Sequence, residues 1–290
     1  MGSILGMLVK SANSGKVASK DRGFLDIYLE SLSKEDPRLA RTNFLLSDKI
    51  SAIRTAALSG VVIAYGEDEN LREIQKRLPA GIPFIAYGHR ASFGLYTRET
   101  LRPSLAKKAA KDASSVDQRG CLSPVTLFVE KKGKESAMRF TERLAEELKK
   151  HSSGDEKFLD LRSAAEHRRL RQRYLLKKVK GTPGRSFEAG RWTVVYDESI
   201  RLEASSGQTL FVKGFDDLRK VYSALATMRT YLQSAALEAP LLRRAEIAMT
   251  LAGLGINRVC RAGRMQCPPA TWHHDGRTNF ASWLRWTDLE

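Results

Sequence analysis

Two short apolar runs with the same ending, VVIAYG (Val61–Gly66) and PFIAYG (Pro83–Gly88), constrain this chain more than any other feature. Each has the length of a strand, and each closes on a glycine. The intervening EDENLREIQKRLP opens with acidic residues, which suit a helix start because the aligned peptide dipoles place partial positive charge there. Strand, helix and strand in this span predict a βαβ unit with parallel strands. Ligands of such sheets sit beyond the carboxyl ends of the strands, which is where Gly66 and GHRASFG (Gly88–Gly94) fall. GHRASFG lacks the G-x-G-x-x-G spacing of dinucleotide-binding turns, and a glycine after a strand is more often simply a turn.

The alternation continues along the chain. FLDIYLESL puts Leu25, Tyr28, Leu29 and Leu32 on one helical face after a polar start at Ser19–Asp21. A helical stretch over Thr97–Asp112 leads to a loop and then to a strand, VTLFVE (Val125–Glu130). ESAMRFTERLAEELKKH predicts an amphipathic helix with Ala137, Phe140, Leu144 and Leu148 on its apolar stripe. Gly181–Gly190 reads as a basic, glycine-rich loop, RWTVVYD and QTLFVKGF as strands, DDLRKVYSAL as a helix, and YLQSAALEA as either. LLRRAEIAMTLAGLG is a helix ended by glycine, and INRVCRAG a strand. The tail holds three of the four tryptophans and is expected to be docked, because exposed aromatic clusters are uncommon. Repeats and low-complexity segments are absent, so the class is α/β.

Composition narrows the partners. With 42% hydrophobic and 28% charged residues, the 290-residue chain is globular, long enough for one large or two modest domains. Three cysteines make no disulfide framework and point to a reducing, cytoplasmic home. No apolar run approaches the roughly 20 residues that cross a bilayer, and MGSILGMLVKSANSGK lacks the basic start and cleavage site of a signal peptide. The formal charge of +16 favours anionic partners. Much of it sits in HRRLRQRYLLKKVKGTPGR (His167–Arg185), read as a solvated helix face and loop. No finger spacing, RNP-like string or recognition-helix pattern accompanies the charge, so specific nucleic-acid binding is not expected.

One cysteine sits where packing does not ask for it. DQRGCLSP (Asp117–Pro124) places Cys121 after a glycine in a polar loop ahead of a strand. A nucleophilic cysteine works as its thiolate, which backbone amides and nearby cations favour. Gly120 would allow a reacting carbonyl to approach, and Arg119 offers charge, but no base stands at a fixed spacing. A small buried hydrophobe, an inert surface thiol, or a hydrolase with His89 or His274 as base all remain open readings. Cys260, Cys267, His273 and His274 match no common zinc spacing, so no metal is expected.

DQRGCLSP, taken with PPATWHHDGR and LRWTDLE, resembles the acyl-CoA reductases of the LuxC type within the aldehyde dehydrogenase superfamily, from about MLVKSANSGK to the C-terminus. The resemblance implies an aldehyde dehydrogenase-like fold, an incomplete Rossmann-type nucleotide-binding domain plus an α/β catalytic domain. It divides the chain into a nucleotide-binding part at 1–103, a catalytic part at 104–257 and a segment returning to the cofactor cleft at 258–290. Cys121 would be the nucleophile, with Gln118 and Gly120 beside it. AYGHRASFG resembles the strand and glycine turn that meets the cofactor pyrophosphate, which implicates Gly88, His89 and Ser92. LVKSA resembles the strand whose lysine reaches the adenosine ribose, which implicates Lys10 and Ser11. His273, His274 and Asp275 are candidates for closing the cleft.

The implied reaction is NADPH-dependent reduction of a long-chain fatty acyl-CoA, or an acyl-enzyme donor, to a fatty aldehyde, with CoA as leaving group. The alternatives are a cysteine thioesterase or acyltransferase and a non-catalytic relative. Implied partners are further copies of the chain and acyl-transferase or synthetase subunits, as in luminescence systems. The superfamily's water-activating glutamate motif is not recognisable before Cys121. The family carries a substantial region ahead of LVKSA, including an asparagine of the oxyanion hole, whereas Met1 here stands a few residues before Lys10. The resemblance therefore implies an N-terminally incomplete domain. Loss of one oxyanion donor typically costs on the order of 10² to 10³ in rate.

Overall fold

The parallel strand pair foreseen at 61–88 is present in the computed structural model, which describes residues 2–18, 23–152, 161–205 and 207–290. The chain divides into two compact units, Met1–His89 with Thr271–Glu290, and Arg90–Ala270.

The first unit begins with α1 (Gly2–Leu8), β1 (Asn13–Lys16), α2 (Phe24–Glu35), α3 (Pro37–Arg41), β2 (Asn43–Leu46) and α4 (Lys49–Ala56). It continues through β3 (Val62–Tyr65), α5 (Asp68–Lys76) and β4 (Phe84–Tyr87). β1 pairs with β2, and β3 with β4, both in parallel. Asp36 caps α3 by accepting from the Arg38 amide at 2.9 Å, and Asp48 caps α4 through the Ser51 amide at 2.8 Å. Leu25, Tyr28, Leu29 and Leu32 of α2 are half-buried on the predicted face, and the proposed polar start at Ser19–Asp21 lies outside the described residues. LVKSA is not a strand. Leu8 ends α1, Lys10 turns at φ 57° and the strand starts at Asn13, because Asn13 donates its amide to the Thr42 carbonyl and so fixes where pairing begins.

The second unit is built on a seven-stranded sheet. Its elements are β5 (Ala91–Tyr96), α6 (Pro103–Ser114), β6 (Pro124–Glu130), α7 (Ala137–Lys150), α8 (Leu161–Val179), β7 (Arg185–Ala189) and β8 (Trp192–Asp197). β9 (Thr209–Phe215), α9 (Leu218–Ala226), β10 (Leu232–Glu238), α10 (Leu241–Gly253) and β11 (Arg258–Cys260) complete it. The strand order is β11-β10-β5-β6-β9-β8-β7, parallel throughout except for the antiparallel β7–β8 edge. Side chains alternate across the sheet. Leu127 and Val129 pack with α6 and α7 on one face, whereas Phe128 joins the α9 and α10 cluster on the other. Leu170 and Tyr174 of α8 cover Val195 and Phe211. Helices on both faces explain why β5, β8, β9 and β10 are buried at every position.

Several boundaries differ from the sequence reading. GHRASFG is a turn only to Arg90. From Ala91 it is a central strand, whose Gly94 is required because a Cβ there would lie 2.6 Å from Leu127. The Thr97–Asp112 stretch splits into a 3₁₀ turn and α6, which starts at Pro103, a residue suited to a first helical turn. Arg185–Ala189, read as loop, pairs with β8, and YLQSAALEA resolves as the buried strand β10. The compact units part at 89/90 instead of 103, since β5 pairs with β6 and β10. Residues 258–270 stay with the second unit through the β10–β11 pairing.

Candidate active site

The loop carrying Cys121 is strained and tied down from several sides. Between α6 and β6 the chain places Val116, Asp117 and Gln118 at φ 60°, 51° and 58°, a left-handed run that L-residues resist, a β-branched valine most of all. Arg191 holds Asp117 through an ion pair. The Gln118 side chain donates to the carbonyls of Pro124 at 3.1 Å and Thr209 at 2.8 Å and accepts from the Thr209 amide at 3.0 Å, which fastens the loop to the starts of β6 and β9. Such strain persists only where its surroundings over-determine it, and it gathers at functional sites.

Beyond the strained run, Cys121 is exposed. Its carbonyl accepts from the Ser92 hydroxyl on β5 at 2.7 Å. Ser123 closes the turn with its amide on the Gly120 carbonyl at 2.9 Å, and its hydroxyl accepts from Gln266 at 2.9 Å. Gln266 is placed by Asp112 of α6, whose carboxylate accepts the amides of Gly263 at 2.6 Å and Met265 at 2.9 Å. Asp112 is almost fully buried. Burial pushes its carboxyl up to about 6, against the opposing pull of those two amides. The loop is thus clamped by its own Gln118, by Ser92 and by the 262–266 turn.

Individual predicted residues fare differently. Gln118, Gly120, Cys121 and Ser92 come together, but Ser92 is fully buried and its hydroxyl serves the Cys121 carbonyl. Gly120 has ordinary space for a side chain, since a Cβ there would meet its nearest neighbour only at 3.6 Å, so steric need does not explain the glycine. Burial raises the Cys260 thiol to about 11, which suits an inert packed residue, and Cys267 is exposed. Among the described residues no three His, Cys, Asp or Glu side chains converge as a metal site.

The remaining candidates lie in the first unit. Lys10 and Ser11 are exposed in the turn after α1. Gly88 is a glycine because a Cβ would collide with the Asp68 carboxylate at the start of α5, and Asp68 also accepts the His89 amide at 3.2 Å. His274 stacks on Tyr87 with ring centroids 4.4 Å apart, and Tyr87 stacks on Tyr65 at 4.8 Å, so the tail seats on the carboxyl ends of β3 and β4. Trp272 flanks His274 at 4.9 Å. Asp275 turns at φ 53°, and the Tyr87 hydroxyl is raised by burial and then by Asp275. His273 is exposed. Trp272 and Trp283 are half-buried, whereas Trp286 is 83% exposed, so the docking expected of the tail is partial.

One buried cluster escaped the sequence reading. Lys213 of β9 is fully buried and donates to Asp197 at 2.8 Å, to Ser199 at 3.0 Å and to Glu203. Burial opposes ionisation of Asp197, but hydrogen bonds from Lys213, Tyr174 and Ser199 outweigh it and hold the carboxyl down at about 2. The available signal was a lone lysine inside the apolar run TLFVKGF.

Solved structures share this architecture. Lactaldehyde dehydrogenase from Escherichia coli matches with TM-score 0.64 and 16% identity over 90% of this chain and 58% of its own. A putative aldehyde dehydrogenase PutA from Anabaena variabilis gives 0.64 and 15% over 92% and 60%. Glyceraldehyde-3-phosphate dehydrogenase GapN from Methanocaldococcus jannaschii, complexed with NADP, gives 0.63 and 9% over 91% and 60%. The chain thus spans about three fifths of the length of these neighbours. No curated protein matches the sequence. The neighbours establish an aldehyde dehydrogenase-like α/β fold, and the acyl-CoA reductase (LuxC) profile matches residues 1–286, so the chain belongs to the LuxC acyl-CoA reductase family.

Proposed function

We propose that the protein reduces a long-chain fatty acyl-CoA to the aldehyde through an acyl-enzyme on Cys121, with NADPH as reductant. The observation that carries this reading is the exposed Cys121 on a strained loop clamped by Gln118, Ser92 and Gln266 in a chain of this family. The Cys121 thiolate attacks the thioester carbonyl, and the carbon–sulfur bond to CoA breaks, so CoA leaves as its thiolate. The clamps fix the direction of the Cys121 backbone, which keeps the sulfur and the acyl carbon in one geometry for both halves of the reaction. After reduction the thiohemiacetal collapses, returning the electron pair to Cys121 sulfur and releasing aldehyde.

The carboxyl end of β3 fits a flat cofactor ring. Gly66 faces open space, and the Tyr65 ring is 57% exposed within its stack. Asp68 stands against a phosphate at the His89 amide, and Lys10 and Ser11, exposed in the turn after α1, are the donors assigned to the cofactor's phosphates. A bound reduced nicotinamide supplies the hydride. The NADP complex of the Methanocaldococcus neighbour supports that choice.

Intact-protein mass spectrometry tests the proposal. Incubation with palmitoyl-CoA is expected to add one acyl group to the parent and none to Cys121→Ala, and NADPH is expected to discharge it as aldehyde. No adduct on the folded parent would sink the proposal, as would discharge only as free acid.

A further inference from the structure

The basic segment His167–Arg185 folds into more than a solvated face. The face of α8 that carries Ala164, Arg168, Arg171 and Leu175 forms with the strand β7 an open groove of about 570 Å³, within the roughly 300–1,000 Å³ of small-molecule sites. Arg168, Arg171 and Arg191 line it with one acid among the described residues, Glu188. Glu188 is taken up by Arg171 at 2.7 Å, and Arg191 is spent on Asp117, outside the groove lining. Arg168 is exposed, with no carboxylate partner among the described residues. Gln172 and Ser186 add neutral donors, and Ala164 and Leu175 an apolar wall. An open groove with the Arg168 guanidinium, neutral donors and an apolar wall suits a phosphate ester on a flat heterocycle, since the guanidinium fork matches phosphate oxygens.

We propose that this groove binds the nucleotide phosphates of the acyl-thioester substrate, an inference that rests on the acyl-CoA reading above. Arg191 links the two places. It lines the groove and holds Asp117, four residues ahead of Cys121, so the Asp117 and Cys121 Cα atoms are at most about 14 Å apart. The groove thus shares a residue with the loop that carries the thiol, and a nucleotide anchored there has a long thioester arm to span the remaining distance. The same ion pair ties groove occupancy to the strained run Val116–Gln118.

Isothermal titration with adenosine 3′,5′-bisphosphate tests the site on the full chain. Arg168→Ala is expected to weaken binding about tenfold, the loss of one charge-assisted contact. Arg173→Ala, an exposed charge of the same helix outside the groove lining, is expected to change it less than about twofold. NADP affinity is expected to stay unchanged in both variants. Equal bisphosphate binding by the parent and Arg168→Ala overturns the proposal. A loss of NADP affinity instead assigns the groove to the cofactor and equally overturns it, as does inorganic phosphate competing as well as the bisphosphate. Acylation of Cys121 by palmitoyl N-acetylcysteamine, a thioester without a nucleotide, keeps the readings apart. Parent and Arg168→Ala are expected to react alike with it. A parent that fails to react sinks the acyl-enzyme reading, while the bisphosphate titration still decides the groove.

Discussion

The two units bury their side chains in different ways. In Arg90–Ala270 a seven-stranded sheet is covered on both faces, and strands such as β9 have no exposed residue. In Met1–His89 with Thr271–Glu290, the strands form two separate pairs, and Leu71, Ile85 and Tyr87 are the buried hydrophobic side chains among the described residues. Phe24, Ile27, Ile50 and Leu58 of that unit stand exposed. Two-stranded sheets are marginal alone, whereas a wide covered sheet over-determines its own geometry. The contrast matches the tasks proposed for each unit: a strained nucleophile loop is held by the covered sheet, and ring stacking beside a glycine turn needs less.

Four substitutions press on this comparison. Lys213→Ala leaves Asp197 and Glu203 facing each other without their shared cation in the covered sheet, and a loss of about 3–5 kcal/mol is expected by urea denaturation. The exposed Lys10→Ala is expected within about 0.5 kcal/mol. Equal losses at the two lysines would break the contrast. Asp112 comes next. Its folded carboxyl is raised from 3.8 to about 6, so its contribution favours the fold below about pH 4 and is lost as pH rises through 6. The swing is on the order of 2–3 kcal/mol. A stability profile between pH 4 and 7 should carry this decline in the parent, and Asp112→Asn should flatten it; an unchanged slope would refute the assignment. A smaller effect than at Asp112 is expected in the first unit, where His274→Ala removes stacking on Tyr87 worth about 0.5–1.5 kcal/mol. Loss of protease resistance confined to β3, β4 and the tail would sharpen the contrast, and a cost above about 3 kcal/mol, the scale of a buried-network loss, would show that this unit is as tightly determined as the other.

Much of the architecture was legible because burial leaves a periodic record. VVIAYG and PFIAYG gave the β3–β4 pair, and the spacing of Ala137, Phe140, Leu144 and Leu148 gave the buried stripe of α7. GHRASFG misled because glycine in a covered central strand reads like glycine in a turn until Leu127 and Tyr96 are seen against it. LVKSA misled because strand pairing in the first unit starts at Asn13 and Asn43, thirty residues apart in sequence.

At the site, DQRGCLSP by itself determined that Cys121 would sit in a polar loop before a strand, since local composition governs which segments leave the core, and the fold decided that its thiol is exposed. Tertiary structure alone decided what holds that loop. Ser92, Thr209, Arg191 and Gln266 reach it from β5, β9, the β7–β8 turn and the turn after β11, and Asp112 sets Gln266 in place. No periodicity marks these residues, because each acts through one or two hydrogen bonds or an ion pair across a large sequence separation, and such contacts exist only once the sheet has brought its strand ends together.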